Sequence, residues 1–266
     1  MDVKQVLRQA IFSPAYPKWL LGIFAVWFGV WAVGPPHPSD FLLEHIFTVA
    51  FLAFLCWSHG RFRLSNLSYT AIFVFLCLHV VGAHYTYSEV PYDAWLRRLV
   101  SWFGVQDFSI QSLFAFERNQ YDRLVHFSFG LLMAYPMREV FIRIVRVRGF
   151  WGYYLPLDVM MSFSLLYELI EWGVAVLIGG DVGQSYLGTQ GDEWDSQKDM
   201  ALASLGGLIA MTVTALVNWR YGRDFAGELA DSLVQHGSAP LGEVRIAEMS
   251  KQQRSDATET QGGKQT

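Results

Sequence analysis

The 266 residues include 52% hydrophobic and 16% aromatic side chains but only 17% charged ones, for a net charge of −4. Soluble domains average about 25% charged residues, so this composition excludes an ordinary soluble enzyme and points to a membrane protein. The two cysteines, Cys56 and Cys77, lie in apolar runs without CxxC spacing, which supports neither a disulfide framework nor a thiolate metal site.

A spanning helix needs about 20 mostly apolar residues, fewer when flanking groups snorkel. Six segments read this way. The first runs from about Trp19 to Val33, follows Lys4, Arg8 and Lys18, and ends at the breaker Gly34-Pro35-Pro36. No small-residue cleavage site follows it, so it reads as an uncleaved anchor. The second covers about Phe41 to Trp57 and the third about Leu67 to His84. In the long connection that follows, Trp95, Leu96, Leu99, Val100 and Phe103 share one helical face opposite Arg97 and Arg98. That pattern suits a helix lying in the membrane interface, or a short solvent-exposed helix over the bundle. The fourth span covers about Arg123 to Ile142, the fifth about Tyr153 to Ile178, and the sixth about Met200 to Trp219. The expected fold is an all-α polytopic bundle of about six transmembrane helices over residues 1–223. A polar tail, 224–266, has the composition of a disordered segment after one short helix.

Basic residues set the orientation. Arg61 and Arg63, the group Arg138, Arg143, Arg146 and Arg148, and the pair Arg220 and Arg223 fall on one side of such a bundle, together with the amino-terminal lysines and arginine. The acidic connection from Gly179 to Lys198 falls on the other. The positive-inside rule then puts both termini in the cytoplasm. Topology accounts for the basic residues, so nucleic-acid binding has no support. There is no Gly-rich phosphate loop, Ser-centred nucleophile elbow or HExxH motif.

Three polar pairs interrupt this pattern: Asp122 and His126 in the fourth span, Glu168 and Glu171 in the fifth, and Asp195 and Asp199 at the start of the sixth. Each pair is three or four residues apart and so shares a helical face, and the topology brings all three toward the outer side. Ionisable groups within a bilayer cost free energy and mark functional sites by default. These six residues are the candidate catalytic group, with His126, Glu168, Glu171 and Asp199 as candidate metal ligands. A His with carboxylates suits Zn, Mn or Fe better than Cu. Arg118, Arg123 and Lys198 supply counter-charge. Glu44 and His45 at the start of the second span, and His84, Tyr85, Tyr87, Glu89 and Asp93 just after the third, fall on the same side as candidates to join this group, although Glu44 and His45, like His37, His59 and His79, read more readily as isolated polar residues.

The motifs YDRLVHFSFG, YELIEW and WDSQKDMALASLGG resemble the YjdF-like inner-membrane family, whose function is uncharacterised, over about residues 10–225. The order Asp-xxx-His, intramembrane Glu and Asp-xxx-Asp before a Gly-rich helix is more remotely similar to the VanZ-like group. Proteins of that group carry a basic or amide residue near the Glu turn, where this chain has Glu171, and an Asn where it has Ala203. The resemblance implies a bacterial inner membrane. Three function classes stay open: a metal-dependent enzyme acting on a lipid or envelope precursor at the outer leaflet, a non-catalytic lipid-binding or envelope-assembly factor, and a proton- or cation-coupled transporter. Membrane lipids are the expected partners.

Overall fold

The computed structural model describes residues 13–105, 108–180, 183 and 187–221. Lys4, Arg8, Arg223 and the tail from 224 to 266 lie outside the described residues. Within them the chain forms eight α-helices and no strand. Helix α1 spans Tyr16–Trp31, α2 Pro38–His59, α3 Asn66–His84, α4 Tyr92–Ser101, α5 Ile110–Leu113, α6 Tyr121–Val140, α7 Trp151–Ile178 and α8 Asp195–Arg220. A π-helical turn, Phe141–Val145, extends α6. Local chemistry sets several starts. Pro17 and Pro38 occupy first-turn positions in α1 and α2, where a missing N–H costs nothing. The Ser65 hydroxyl caps α3 by accepting from the Ser68 N–H, as an N-cap side chain does.

Four helices, α2, α3, α7 and α8, are long and apolar enough to cross a membrane by length and composition. The other two expected spans differ for separate reasons. Helix α1 has only 16 residues and runs Tyr16–Trp31, shifted toward the amino terminus from the expected Trp19 to Val33. Helix α6 is 20 residues long but contains Asp122, Arg123, His126, Arg138 and Glu139. Its polarity is explained by position, because α6 packs against α3, α7 and α8 and so meets protein where an outer helix meets lipid. The last helix begins at Asp195, five residues before the expected Met200, which makes Asp195 and Asp199 helical.

The surface is apolar where a soluble protein's would be polar. Leu42, Val49, Phe54, Leu169, Val176 and Leu177 are among many large apolar side chains facing outward. A contiguous apolar exterior of this kind marks a lipid-facing bundle. Trp19, Trp57 and Trp219, all exposed near helix ends, sit where interfacial aromatics anchor a helix. Helix α4 exposes Trp95 and Leu99, and Trp102 just beyond its last residue is exposed as well. The Trp95 ring touches the rings of Trp31 and Tyr85. Cys56 and Cys77 are both free.

Small residues let the central helices approach. A side chain at Gly130 of α6 would overlap the Ala203 carbonyl and the Gly207 N–H of α8, and one at Gly206 would overlap backbone atoms of Phe127 and Leu131. Close backbone approach through small residues is the usual packing device of helices in lipid. It draws α6 and α8 together along the faces that carry His126 and Asp199.

Candidate functional site

At one end of the bundle the first turns of α2, α6 and α8 meet the last turn of α3 and the upper half of α7. His126, one turn below Asp122 on α6, has its Nε2 3.6 Å from Asp122 Oδ1 and 3.6 Å from Glu168 Oε1 of α7. Asp199 of α8 completes the group. Ligand atoms of Asp122, His126 and Asp199 lie within 4.8 Å of one another. His126, Glu168 and Asp199 are buried, and Ser196 hydrogen-bonds Glu168. Among the described residues, Glu168 Oε1 and Asp199 Oδ1 are nevertheless buried without a hydrogen-bond partner. A buried acceptor without a donor costs about 1–3 kcal/mol, more if charged, so these oxygens call for a proton or a cation.

Asp195 has a different environment from Asp199, one turn away. Its carboxylate pairs with the guanidinium of Arg118, and Arg123 lies 3.6 Å off. The Arg118 side chain is only 8% exposed, and it donates to the Thr189 carbonyl at 3.0 Å. Arg123 pairs with Asp192, which also accepts from Lys198 at 2.6 Å. Together these contacts pin the loop around 188–192 over the mouth of the site. Asp192, outside the spanning helices, is held at about 2 by the Lys198 hydrogen bond first, then by the Trp194 N–H, with Arg123 adding to the effect. The three expected counter-charges are therefore engaged with Asp195 and Asp192, and Asp195 acts as an anchor for Arg118.

Glu171, expected among the metal ligands, does not join the tightest group. It lines an adjoining polar pocket with Asp40, Glu44, Tyr87, Asp122 and Gly188. Asp122 borders both the pocket and the His126 cluster. Glu44 accepts from Tyr167 at 2.9 Å and from Tyr87 at 3.4 Å. The Tyr87 hydroxyl is 2.6 Å from His79 Nδ1, and His79 Nε2 is 2.8 Å from Thr48 Oγ1. Glu44 and His79, which the sequence presents as isolated polar residues, thus belong to one hydrogen-bonded chain reaching into the bundle. His45 stays local, bonding the Phe41 carbonyl through Nδ1 at 2.6 Å.

Tyr87 reaches this chain because the end of α3 folds back. Thr86 and Tyr87 have φ values of 51° and 56°, a left-handed pair that is rare for a β-branched and an aromatic residue. Gly82 leaves the space that the Tyr87 ring fills. In the sequence, the signal for this half of the site is a Glu at the start of one span and a His near the end of the next, followed by a Tyr-rich turn.

A family described as "Predicted membrane protein (DUF2238)" matches residues 16–220. The Escherichia coli (strain K12) protein named "Inner membrane protein YjdF" is 37% identical over 166 residues, which covers 62% of this chain and 72% of that protein. No solved structure matches. Neither match bears on the VanZ-like resemblance.

Proposed function

We propose that this chain, which belongs to the membrane-protein family DUF2238, binds a divalent cation between Asp122, His126 and Asp199 and acts on an ester or phosphoester of an outward-facing lipid or envelope precursor. It is a multi-pass protein of the bacterial inner membrane, like its relative. The observation that carries the reading is the meeting of three ligand atoms within 4.8 Å beside two buried carboxylate oxygens that lack donors. Bonds to a tetrahedral Zn are about 2 Å long, which puts its ligand atoms about 3.3 Å apart, so the group needs only a small contraction. One nitrogen and several carboxylate oxygens suit Zn, Mn or Fe.

A cation held there would polarise a carbonyl or phosphoryl oxygen and make bound water more acidic. The remaining work falls to this chain's own residues. Glu168 Oε1, 3.6 Å from His126, is placed to take a proton from an attacking water as general base. Asp122 is shared between cluster and pocket, so a group held by one is next to the other. The Tyr87 and Tyr167 hydroxyls with Glu44 and Glu171 offer donors and acceptors to a hydroxyl-bearing head group. The pinned loop around 188–192 limits access from water.

A second reading is favoured by the hydrogen-bonded chain from Glu44 to Thr48. In a non-catalytic lipid-binding or assembly factor, that chain and the carboxylates would share protons and fix the helices. Metal analysis of protein purified without chelator or nickel separates the two readings. The catalytic reading expects near-stoichiometric metal that falls sharply in His126→Ala and Asp199→Ala variants and is retained in Cys56→Ala. Wild-type protein that neither carries metal nor takes up Zn, Mn or Fe on incubation would eliminate the catalytic reading.

A further inference from the structure

Helices α1 and α2 are joined through residues 32–37 and touch near that join, where the Phe28 ring lies 6.0 Å from Phe41 and 4.9 Å from His45. Toward their other ends they leave an open apolar cavity of about 230 Å³ that includes Leu20, Phe24, Leu52, Leu55 and Leu76 in its wall. Helix α3 forms the floor through Ile72, Phe73 and Leu76, and Lys18, His59 and Tyr69 line the end. From Lys18 to Phe24, and from Tyr69 to Leu76, the helical rise gives a groove about 10 Å deep.

We infer that this groove holds an acyl chain of an anionic phospholipid, with the lipid phosphate seated on Lys18 and His59. An apolar cleft facing hydrocarbon forfeits dispersion contacts unless something fills it, and lipid is the neighbour of a membrane-spanning helix. The mouth decides which lipid. Lys18 is exposed there and pairs with no carboxylate among the described residues. His59 bonds the Tyr69 hydroxyl through Nδ1 at 2.7 Å, which leaves Nε2 as the ring nitrogen for a phosphate. The next basic residue, Arg61, is held over the Trp57 ring at 4.8 Å, in reach of the same head-group layer. An ammonium group and a ring N–H are donors for a phosphate, and among the described residues no acidic side chain lines the groove. The groove lies at the opposite end of the bundle from His126, so its occupancy is independent of the cation proposed there.

Native mass spectrometry of the full-length protein in detergent, titrated with phosphatidylglycerol or with phosphatidylcholine of the same acyl chains, tests this. Wild-type protein should retain phosphatidylglycerol in preference. The double variant Lys18→Gln, His59→Gln should lose about five-fold in that preference, and Leu55→Trp, which fills the cavity, should lower retention of both lipids. Equal retention of the two lipids by wild-type protein overturns the proposal, as does a preference unaltered in the double variant. A dimer that Leu55→Trp dissociates would identify a second copy of the chain as the occupant and overturn it too.

Discussion

Asp192 shows how one side chain holds the mouth of the site closed. It accepts from Lys198 and from the Trp194 N–H while pairing with Arg123, and its carboxyl is depressed from 3.8 to about 2. Asp93, in the first turn of α4, behaves alike: burial pushes its carboxyl up, but the N–H groups of Gln111 and Ile110, Ser109 and Arg97 together hold it below the usual range. A carboxylate depressed in the folded state stabilises it fully above its unfolded pKa and loses that contribution as pH falls through the folded value. Folding stability in detergent should therefore fall between about pH 4 and pH 2, with the loop around 188–192 released first. Asp192→Asn should be less stable at neutral pH and show a flatter acid limb over that window. An acid limb of unchanged slope in fluorescence-monitored unfolding would mean that the Lys198 and Arg123 contacts do not hold the loop.

Among the helices, the contact of α6 with α8 governs whether the candidate site exists at all, because it brings His126 to Asp199. Gly130 and Gly206 face backbone atoms across it, so a branched side chain must push the helices apart. Overpacking of this kind costs about 1–3 kcal/mol. Gly206→Val should lower the melting temperature in detergent and weaken metal retention, whereas Gly22→Val, at a position with open space around it, should do neither. If both variants melt with wild type, the glycines do not set the interhelical distance. The helices themselves are legible in the sequence, since a long apolar run in a bilayer must satisfy its backbone internally. The pair Asp122 with His126 is legible from spacing alone, whereas Glu171, which spacing pairs with Glu168, lines the adjoining pocket instead. The partnership of Glu44 with Tyr167 and Tyr87 is not legible, because it depends on a left-handed turn at Thr86 and Tyr87 and on which helices become neighbours. Nor does the sequence reveal that Arg118 takes Asp195 while Asp199 keeps a bare oxygen, since both aspartates lie in the opening turns of α8 after the same loop.

Across the whole molecule, the packing of α1 and α6 on α3 sets the number of crossings. Helix α3 is apolar and long enough to span. Helix α6 lies antiparallel along it, with the Tyr121 hydroxyl donating to the Leu78 carbonyl at 3.0 Å near one end and Glu139 accepting from the Ser65 N–H at 2.9 Å and Ser68 at 2.6 Å at the other. At about 1.5 Å per residue its 20 residues reach about 30 Å, the thickness of the hydrocarbon layer. Helix α1 lies parallel to α3, tied by Tyr16 to Thr70 at 2.9 Å and by His84 to the Trp31 carbonyl at 2.6 Å. Two helices that accompany α3 from end to end cross wherever it crosses, and with α2, α7 and α8 this predicts six passes. Arg61, Arg63, Arg143 and Arg220 then share one end, while Asp40, Asp122 and Asp195 share the other. The positive-inside rule predicts that the arginine-rich end faces the cytoplasm, so reporter fusions after Arg148 and after Tyr221 should report cytoplasm and a fusion at Gly188 the opposite face. A fusion at Gly188 that reports cytoplasm would reverse the bundle, turn the carboxylate cluster toward the cell interior, and remove any action on an outward-facing lipid.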